Sequence, residues 1–348
     1  MAHLFSPLTI RGLTLANRIV LSPMCMYSAK PDGKATDWHY AHLTSRAVGR
    51  CALVFTEATA VESRGRISEA DLGLYNDGQI EPLARIIRFC HEQKVPVGMQ
   101  LAHAGRKAWS GEKGNGPEQA VAPSAIPFAE DWKSPKALTL SEIDRVVAEW
   151  AAAAKRALAA GFDVVEIHAA HGYLLHEFLS PISNQRTDEY GGSLTNRAKM
   201  LLRVVDAVRK VWPPEKPLFL RVSAHDWVDG GLTASDFATL APALSEHGVD
   251  VVDCSSGGII PVPPPSDLMG PGYQTAFSEQ IRNQGRIDTM AVGLITEPHQ
   301  ADHIIRTGQA DLVALARAML RDPYWPLKAA KALHQNIEWP RQYERGKQ

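Results

Sequence analysis

The stretch Val164-Val165-Glu166-Ile167-His168-Ala169-Ala170-His171-Gly172-Tyr173 decides how this chain is read. Its first part is a short apolar run of the kind that forms a buried strand. Its second part releases two imidazoles and a phenol from the end of that strand. An imidazole donates a hydrogen bond to a carbonyl or nitro oxygen, and a phenol hands over a proton. His168 and His171 are therefore candidate electrophiles and Tyr173 a candidate general acid, all on one loop. His-x-x-His alone serves equally well as a core histidine beside a metal ligand, so the motif needs a fold around it.

Working outward, seven further apolar runs resemble the first, at 19–22, 52–56, 97–101, 218–222, 251–254, 290–292 and Leu312–Leu315. Amphipathic segments at 79–94, 141–160, 196–211, 235–247 and 297–307 lie between them. Ser141-Glu142-Ile143-Asp144 has capping-box spacing ahead of an Ala-rich helix, and Gly161 reads as its stop. Eight strands, each apolar on both faces and alternating with helices, indicate a parallel sheet covered by helices. Eight is also the number that closes a barrel. An open doubly wound sheet would want Gly-x-Gly-x-x-Gly after its first strand; the chain has neither that nor a phosphate loop. The expectation is an α/β chain folded as a (β/α)8 TIM barrel, one domain spanning 1–348. Residues 3–15, turning at Gly12, are expected as an N-terminal hairpin plugging the barrel bottom. The Gly- and Pro-rich segment 103–138 is expected as an extended loop after strand three, covering the mouth.

Composition narrows the function. At 348 residues the chain fits one barrel, and its net charge of −1 gives no electrostatic case for nucleic acid or an anionic membrane. The start Met1-Ala2-His3-Leu4-Phe5-Ser6-Pro7 lacks the pattern of a signal peptide, and no apolar stretch is long enough to span a bilayer. Cys25, Cys51, Cys90 and Cys254 lie far apart, with no Cys-x-x-Cys, so no zinc, iron–sulfur or disulfide framework is expected. A reduced, cytoplasmic setting is the default.

In a barrel, chemistry collects at the carboxyl ends of the strands. Those ends read Ser22-Pro23-Met24-Cys25-Met26-Tyr27, Thr56-Glu57-Ala58, Gln100-Leu101-Ala102-His103, the His168–Tyr173 loop, Arg221-Val222-Ser223, Cys254-Ser255-Ser256-Gly257-Gly258, Gly293 and Ala316-Arg317. Polar or small residues come from nearly every strand. Gly258 and Gly293, with bare backbone amides, and the bidentate cation Arg317 suit a phosphate dianion. Arg221 suits a planar anion near the axis, and Gln100 offers one donor and one acceptor to a heterocycle edge. That is the profile of a flavin mononucleotide (FMN) site with no metal.

These residues resemble the Old Yellow Enzyme family of FMN-dependent ene-reductases, in particular its thermophilic-like class. The likeness runs through Ser22–Ser28, Gln100-Leu101-Ala102-His103-Ala104-Gly105-Arg106-Lys107, Ala122-Pro123-Ser124-Ala125, the His168–Tyr173 run with Leu179-Ser180-Pro181, Arg186-Thr187-Asp188-Glu189-Tyr190-Gly191-Gly192-Ser193 and Gln342-Tyr343-Glu344-Arg345. The resemblance implies FMN contacts from Pro23, Met24, Cys25, Ala58, Gln100, Arg221, Gly293 and Arg317. It implies binding of the substrate oxygen by His168 and His171, proton donation by Tyr173, a substrate-facing Tyr27, and Arg345 reaching the pocket of a neighbouring subunit in a homodimer or dimer-built tetramer. Ala316 departs from the family, where glycine often precedes the phosphate-binding arginine.

The implied reaction takes hydride from NADPH, with NADH as the other option, through FMN to the activated C=C bond of an enone or nitroalkene, with quinones as further acceptors, the two half-reactions alternating in ping-pong order. Two other readings stay open on sequence. A metal-dependent or Schiff-base barrel lyase or hydrolase would need a third ligand such as His103, or a lysine at a strand end. A non-catalytic flavin-binding protein would keep Gln100, Arg221 and Arg317 without needing Tyr173. Longer members of the family, with iron–sulfur clusters, are disfavoured by the absent cysteine cluster and the chain's end soon after strand eight.

Overall fold

The computed structural model describes residues 3–347; residues 1, 2 and 348 of the expected domain lie outside them. The eight expected strands form β1 (Ile19–Leu21), β2 (Leu53–Ala60), β3 (Val97–Ala102), β4 (Val164–Ala169), β5 (Leu218–Ser223), β6 (Val251–Ser255), β7 (Asp288–Val292) and β8 (Leu312–Leu315). They pair in parallel, each with its neighbours in chain order, and β8 closes on β1. The expected (β/α)8 barrel is the fold.

Strand periodicity sorts the side chains into two shells. Along β4, Val165, Ile167 and Ala169 join the large apolar layer between barrel and helices, whereas Val164 belongs to a separate cluster inside the barrel. Phe219, Val251, Met290 and Leu312 are in that inner cluster too. Gly98 of β3 makes room for it: a Cβ there would stand 2.3 Å from the Phe55 ring. The expected hairpin, Leu8–Ile10 against Leu13–Leu15, turns through Arg11 in the left-handed region. Its Ile10 and Leu15 complete the inner cluster, each contributing about 1.5–3 kcal/mol by burial. The barrel is plugged from below.

One step up the same strands, the interior is polar. Gln100, Glu166, Arg221 and Asp253 are all buried. The expectation of strands apolar on both faces fails at this level, because these four side chains face one another and the mouth rather than a neighbouring helix. At β2 the register against β3 shifts between Phe55 and Ala58, a bulge that carries the strand four residues beyond its expected end.

The cap of helix Leu140–Ala160 lies two residues before the expected Ser141. Thr139 is its N-cap: its hydroxyl accepts from Glu142 N, and Glu142 Oε2 accepts from Thr139 N at 3.0 Å. Glu142 closes that box from the N3 position of Thr139. Gly161 ends the helix at φ 98°, as expected. The loop 103–138 carries a short parallel ladder, Val121–Ala122 against Lys136–Ala137. Arg186 clamps its outer ends, donating to Pro123 O at 3.0 Å and Leu138 O at 2.6 Å. The Arg186–Ser193 motif is thus a fastening for the loop.

Candidate active site

His168 stands at the top of the interior column Val164, Glu166, His168. Ala170 N–H donates to its Nδ1 at 3.2 Å, which leaves the proton on Nε2. That Nε2 lies 3.2 Å from His171 Nδ1, and His171 Nε2 lies 2.7 Å from Ser255 Oγ. The chain of contacts sets both rings with an Nε2–H donor. Burial, followed by the Arg221 charge, holds both imidazoles well below their usual range, so both are neutral donors at pH 7. The Tyr173 ring centroid is 5.0 Å from that of His168 and 6.5 Å from that of His171. Burial, then Cys25, Tyr27 and Asp71, raises its phenol well above 10, so it is protonated at neutral pH.

His171 has φ 59°, a left-handed conformation that costs a non-glycine residue of order 1–3 kcal/mol. Ser223 Oγ accepts from its amide at 2.8 Å, and Lys107 Nζ donates to its carbonyl at 2.8 Å. The next amide, Gly172 N, donates to His176 Nδ1, and His176 Nε2 meets Asp226 Oδ1 at 2.8 Å in full burial. His176 and Asp226 were not read from the sequence, and Ser223, Ser255 and Lys107 stood there in strand-end or family-like runs without a role of their own. The signal available was a serine ending each of β5 and β6, two residues above Arg221 and Asp253.

Lys107 reaches further. Its ammonium sits 5.2 Å from the Tyr173 ring centroid and 4.5 Å from that of Phe128 on the covering loop. Burial pushes it down to about 8, with Glu177 opposing. Glu177, itself pushed up to about 8 by burial, accepts from Arg106 N at 2.8 Å.

Cys25 and Tyr173 pack on one alanine-rich apolar patch that includes Ala58, Ala102 and Trp109. Burial, then Glu57, raises the Cys25 thiol, so it stays protonated. Glu57, displaced by the bulge, accepts from Met26 N at 2.8 Å and faces His39 Nε2 at 2.9 Å, fixing the Pro23–Tyr27 segment. Tyr27 is half exposed at the rim, and burial pushes it up to about 12. Asp71, beneath it, is pushed up to about 6 by burial.

Gln100 and Arg221 lie below, while Gly293 and Arg317 open on a separate cavity of about 240 Å³ also lined by Ser255, Tyr273 and Arg321. Gly293 has φ 126°, and a Cβ there would meet Gln274 Nε2 at 2.8 Å. Ala316 has φ −104° and ψ −94°, outside both the helical and the extended regions, a conformation that suits the glycine often found at this place in the family better than alanine. Gly258 is a correction. A Cβ on Gly258 would lie 2.6 Å from the His171 carbonyl carbon, and one on Gly172 would lie 2.0 Å from Gly258 O. The two glycines let the β4 and β6 loops touch, and Gly258 packs against His171 and is not among the residues lining the Gly293–Arg317 cavity. His103 cannot complete a metal set with His168 and His171: its Nε2 meets Glu62 at 2.7 Å and its Nδ1 accepts from Gly105 N. Arg345 lies exposed in the turn Arg341–Gly346, with no polar partner among the described residues.

Two features fit FMN. Arg221 is buried at the base of the mouth with Nε unpartnered and one donor committed, to Ser22 Oγ at 3.3 Å. The second is a cation-lined cavity with a side-chain-free backbone at Gly293. Fold and site together define an FMN-dependent oxidoreductase on a (β/α)8 barrel. The chain belongs to the NADH:flavin oxidoreductase / NADH oxidase family, whose model matches residues 3–336. It is 50% identical over 345 residues to an NADPH dehydrogenase of Geobacillus sp. (strain WCH70), covering 99% of this chain and 98% of that one. To an NADPH dehydrogenase of Bacillus subtilis (strain 168) it is 49% identical, with the same coverage. Morphinone reductase superposes with a TM-score of 0.80 at 28% identity, over 97% of this chain and 91% of that one, and has also been solved with tetrahydroNAD. The Old Yellow Enzyme resemblance holds, and the chain is an enzyme that uses FMN and a reduced nicotinamide. Among the described residues no helix is long and apolar enough to cross a membrane.

Proposed function

We propose that this chain, acting as one FMN-binding domain, reduces C=C bonds conjugated to a carbonyl or nitro group, and quinones as a further class, with NADPH as preferred electron source and NADH as an alternative. The observation that carries the reading is a pair of neutral imidazoles, His168 buried and His171 half-buried, within ring contact of the half-buried Tyr173 phenol.

Pro23, Met24, Cys25, Ala58, Gln100 and Arg221 would hold the flavin ring, and Gly293 and Arg317 its phosphate. Bound there, FMN supplies hydride acceptance from the nicotinamide and hydride donation to the β-carbon of the alkene, in alternating half-reactions. His168 and His171 turn their N–H groups from each other and Ser255 to the substrate oxygen, offsetting the charge that develops on it. Tyr173 gives its phenolic proton to the α-carbon. The Lys107 ammonium over the ring stabilises the phenolate left behind. Tyr27 borders the substrate at the rim.

The test is a spectrum. Purified protein should show oxidised-flavin bands that NADPH bleaches and cyclohexenone restores. Bleaching without restoration would leave a dehydrogenase with another acceptor.

The same reading makes the working unit a homodimer or dimer-built tetramer, with Arg345 completing the partner's substrate pocket. Its exposure and lack of a partner support this, since the nearby Tyr343 hydroxyl is already 3.3 Å from that of Tyr324. Arg345→Ala should weaken enone binding while the flavin spectrum stays the same. A monomer by sizing would refute the assignment.

A further inference from the structure

The polar level beneath the mouth contains more charge than the reaction uses. Gln100 Nε2 donates to Glu166 Oε1 at 2.7 Å. Arg221 Nε approaches Asp253 Oδ2 to 3.1 Å, yet not along the N–H, so neither atom completes a hydrogen bond. Glu166 Oε2 and both Asp253 oxygens are also buried without partners. Two carboxyls and one guanidinium therefore lie together, buried from bulk solvent, above the apolar plug and beside the uncharged Met290, Val292, Leu312 and Ala314 of β7 and β8. Neighbouring charges on Glu166 come from Arg221 on β5 and Asp253 on β6. Two ionised carboxylates beside one cation would leave a net buried negative charge, which a low-dielectric interior opposes.

We infer that Glu166 and Asp253 are positioning residues for Gln100 and Arg221, that they hold one proton between them, and that this proton sets how much of the Arg221 charge reaches bound FMN. The inference rests on the reading that Gln100 and Arg221 face the flavin. With Glu166 neutral, Asp253 and Arg221 balance and Gln100 is anchored through one N–H, leaving its oxygen and second N–H for the cofactor. Burial followed by the Asp253 charge pushes Glu166 well up, and burial pushes Asp253 up less, so the pair keeps one proton at neutral pH, mainly on Glu166, and loses it as pH rises into the alkaline range. There an uncompensated negative charge weakens Arg221 as a partner for the reduced, more negative flavin.

The experiment measures FMN affinity and midpoint potential in wild type, Glu166→Gln, Asp253→Asn and Arg221→Met, at about pH 6.5 and about pH 9.5, either side of the transition. Glu166→Gln mimics the protonated acid. It should match wild type at the lower pH and, at the higher pH, favour reduced over oxidised FMN by roughly tenfold more than wild type does, about 30 mV for a two-electron couple. Asp253→Asn should favour the reduced form at both pH values. Infrared spectra of the FMN-loaded wild type should show a buried protonated-carboxyl band at neutral pH that disappears in the alkaline range. Absence of that band, which needs no variant to fold, overturns the inference, as does a Glu166→Gln potential that tracks wild type at both pH values. If Arg221→Met alters affinity or potential while both carboxyl variants are silent, only the inference falls. If Arg221→Met is silent too, the placement of FMN over Arg221 falls with it.

Discussion

The floor and the mouth of the barrel are made by the same strands, and they differ in what each residue is held by. On the floor, Val164, Phe219 and Val251 touch Ile10, Leu15 and one another, and shape alone places them. At the mouth, four residues further along each strand, stand His168, Ser223 and Ser255, tied together by hydrogen bonds of 2.7–3.2 Å that each has to His171. A parallel barrel thus gives a single strand two jobs. Its lower half can be tuned for stability without moving the donors above, and its upper half can change chemistry without opening the core.

The sharpest way to break this comparison is at Phe219, whose ring lies 5.9 Å from that of Phe55. Phe219→Ala should cost about 3–5 kcal/mol of unfolding free energy, read from chemical denaturation. The rate per bound flavin should hardly change, and a large fall in that rate would mean that floor and mouth are coupled. Replacing both His168 and His171 with Ala should do the reverse. FMN stays bound and reduction by NADPH persists, while reoxidation by an enone slows roughly 10²-fold or more in stopped flow. Tyr173→Phe should slow enone reduction by a somewhat smaller factor, on the order of 10–10². Quinones, which take their protons at oxygen from solvent, should be spared, and an equal loss for both would assign Tyr173 to packing. The smallest effect is expected at Lys107. Wild type should lose enone reoxidation on an alkaline limb near pH 8, as Lys107 sheds its proton. Lys107→Met should be slower by roughly 2- to 10-fold below that pH and show no such limb. An identical limb in the variant would place the titration elsewhere.

What was legible in the sequence follows the same division. The strands could be read because each is a mostly apolar run, and the plug because Gly12 follows the first of two short apolar segments. His168, His171 and Tyr173 could be read because chemistry-bearing residues cluster locally. Glu166 and Asp253 could not: each looks like a lone charge in an apolar strand, and their common partner Arg221 is a matter of register between β4, β5 and β6. The bulge at Phe55–Ala58 leaves no local mark either, although it is what aims Glu57 at Met26. Gly258 went to the wrong role for a related reason. A glycine shows that something comes close, and only the fold shows that the close neighbour is His171 rather than a phosphate.

The left-handed backbone at His171 also limits what any lineage or mutant library can place there. A β-branched residue at φ 59° is strained before its side chain meets anything, whereas asparagine enters that region readily and still carries an N–H donor. The accessible alternatives at this position are therefore chosen first by the peptide chain and only afterwards by the reaction, so a screen that ranks substituents by chemistry alone will spend most of its candidates on conformations the loop rejects.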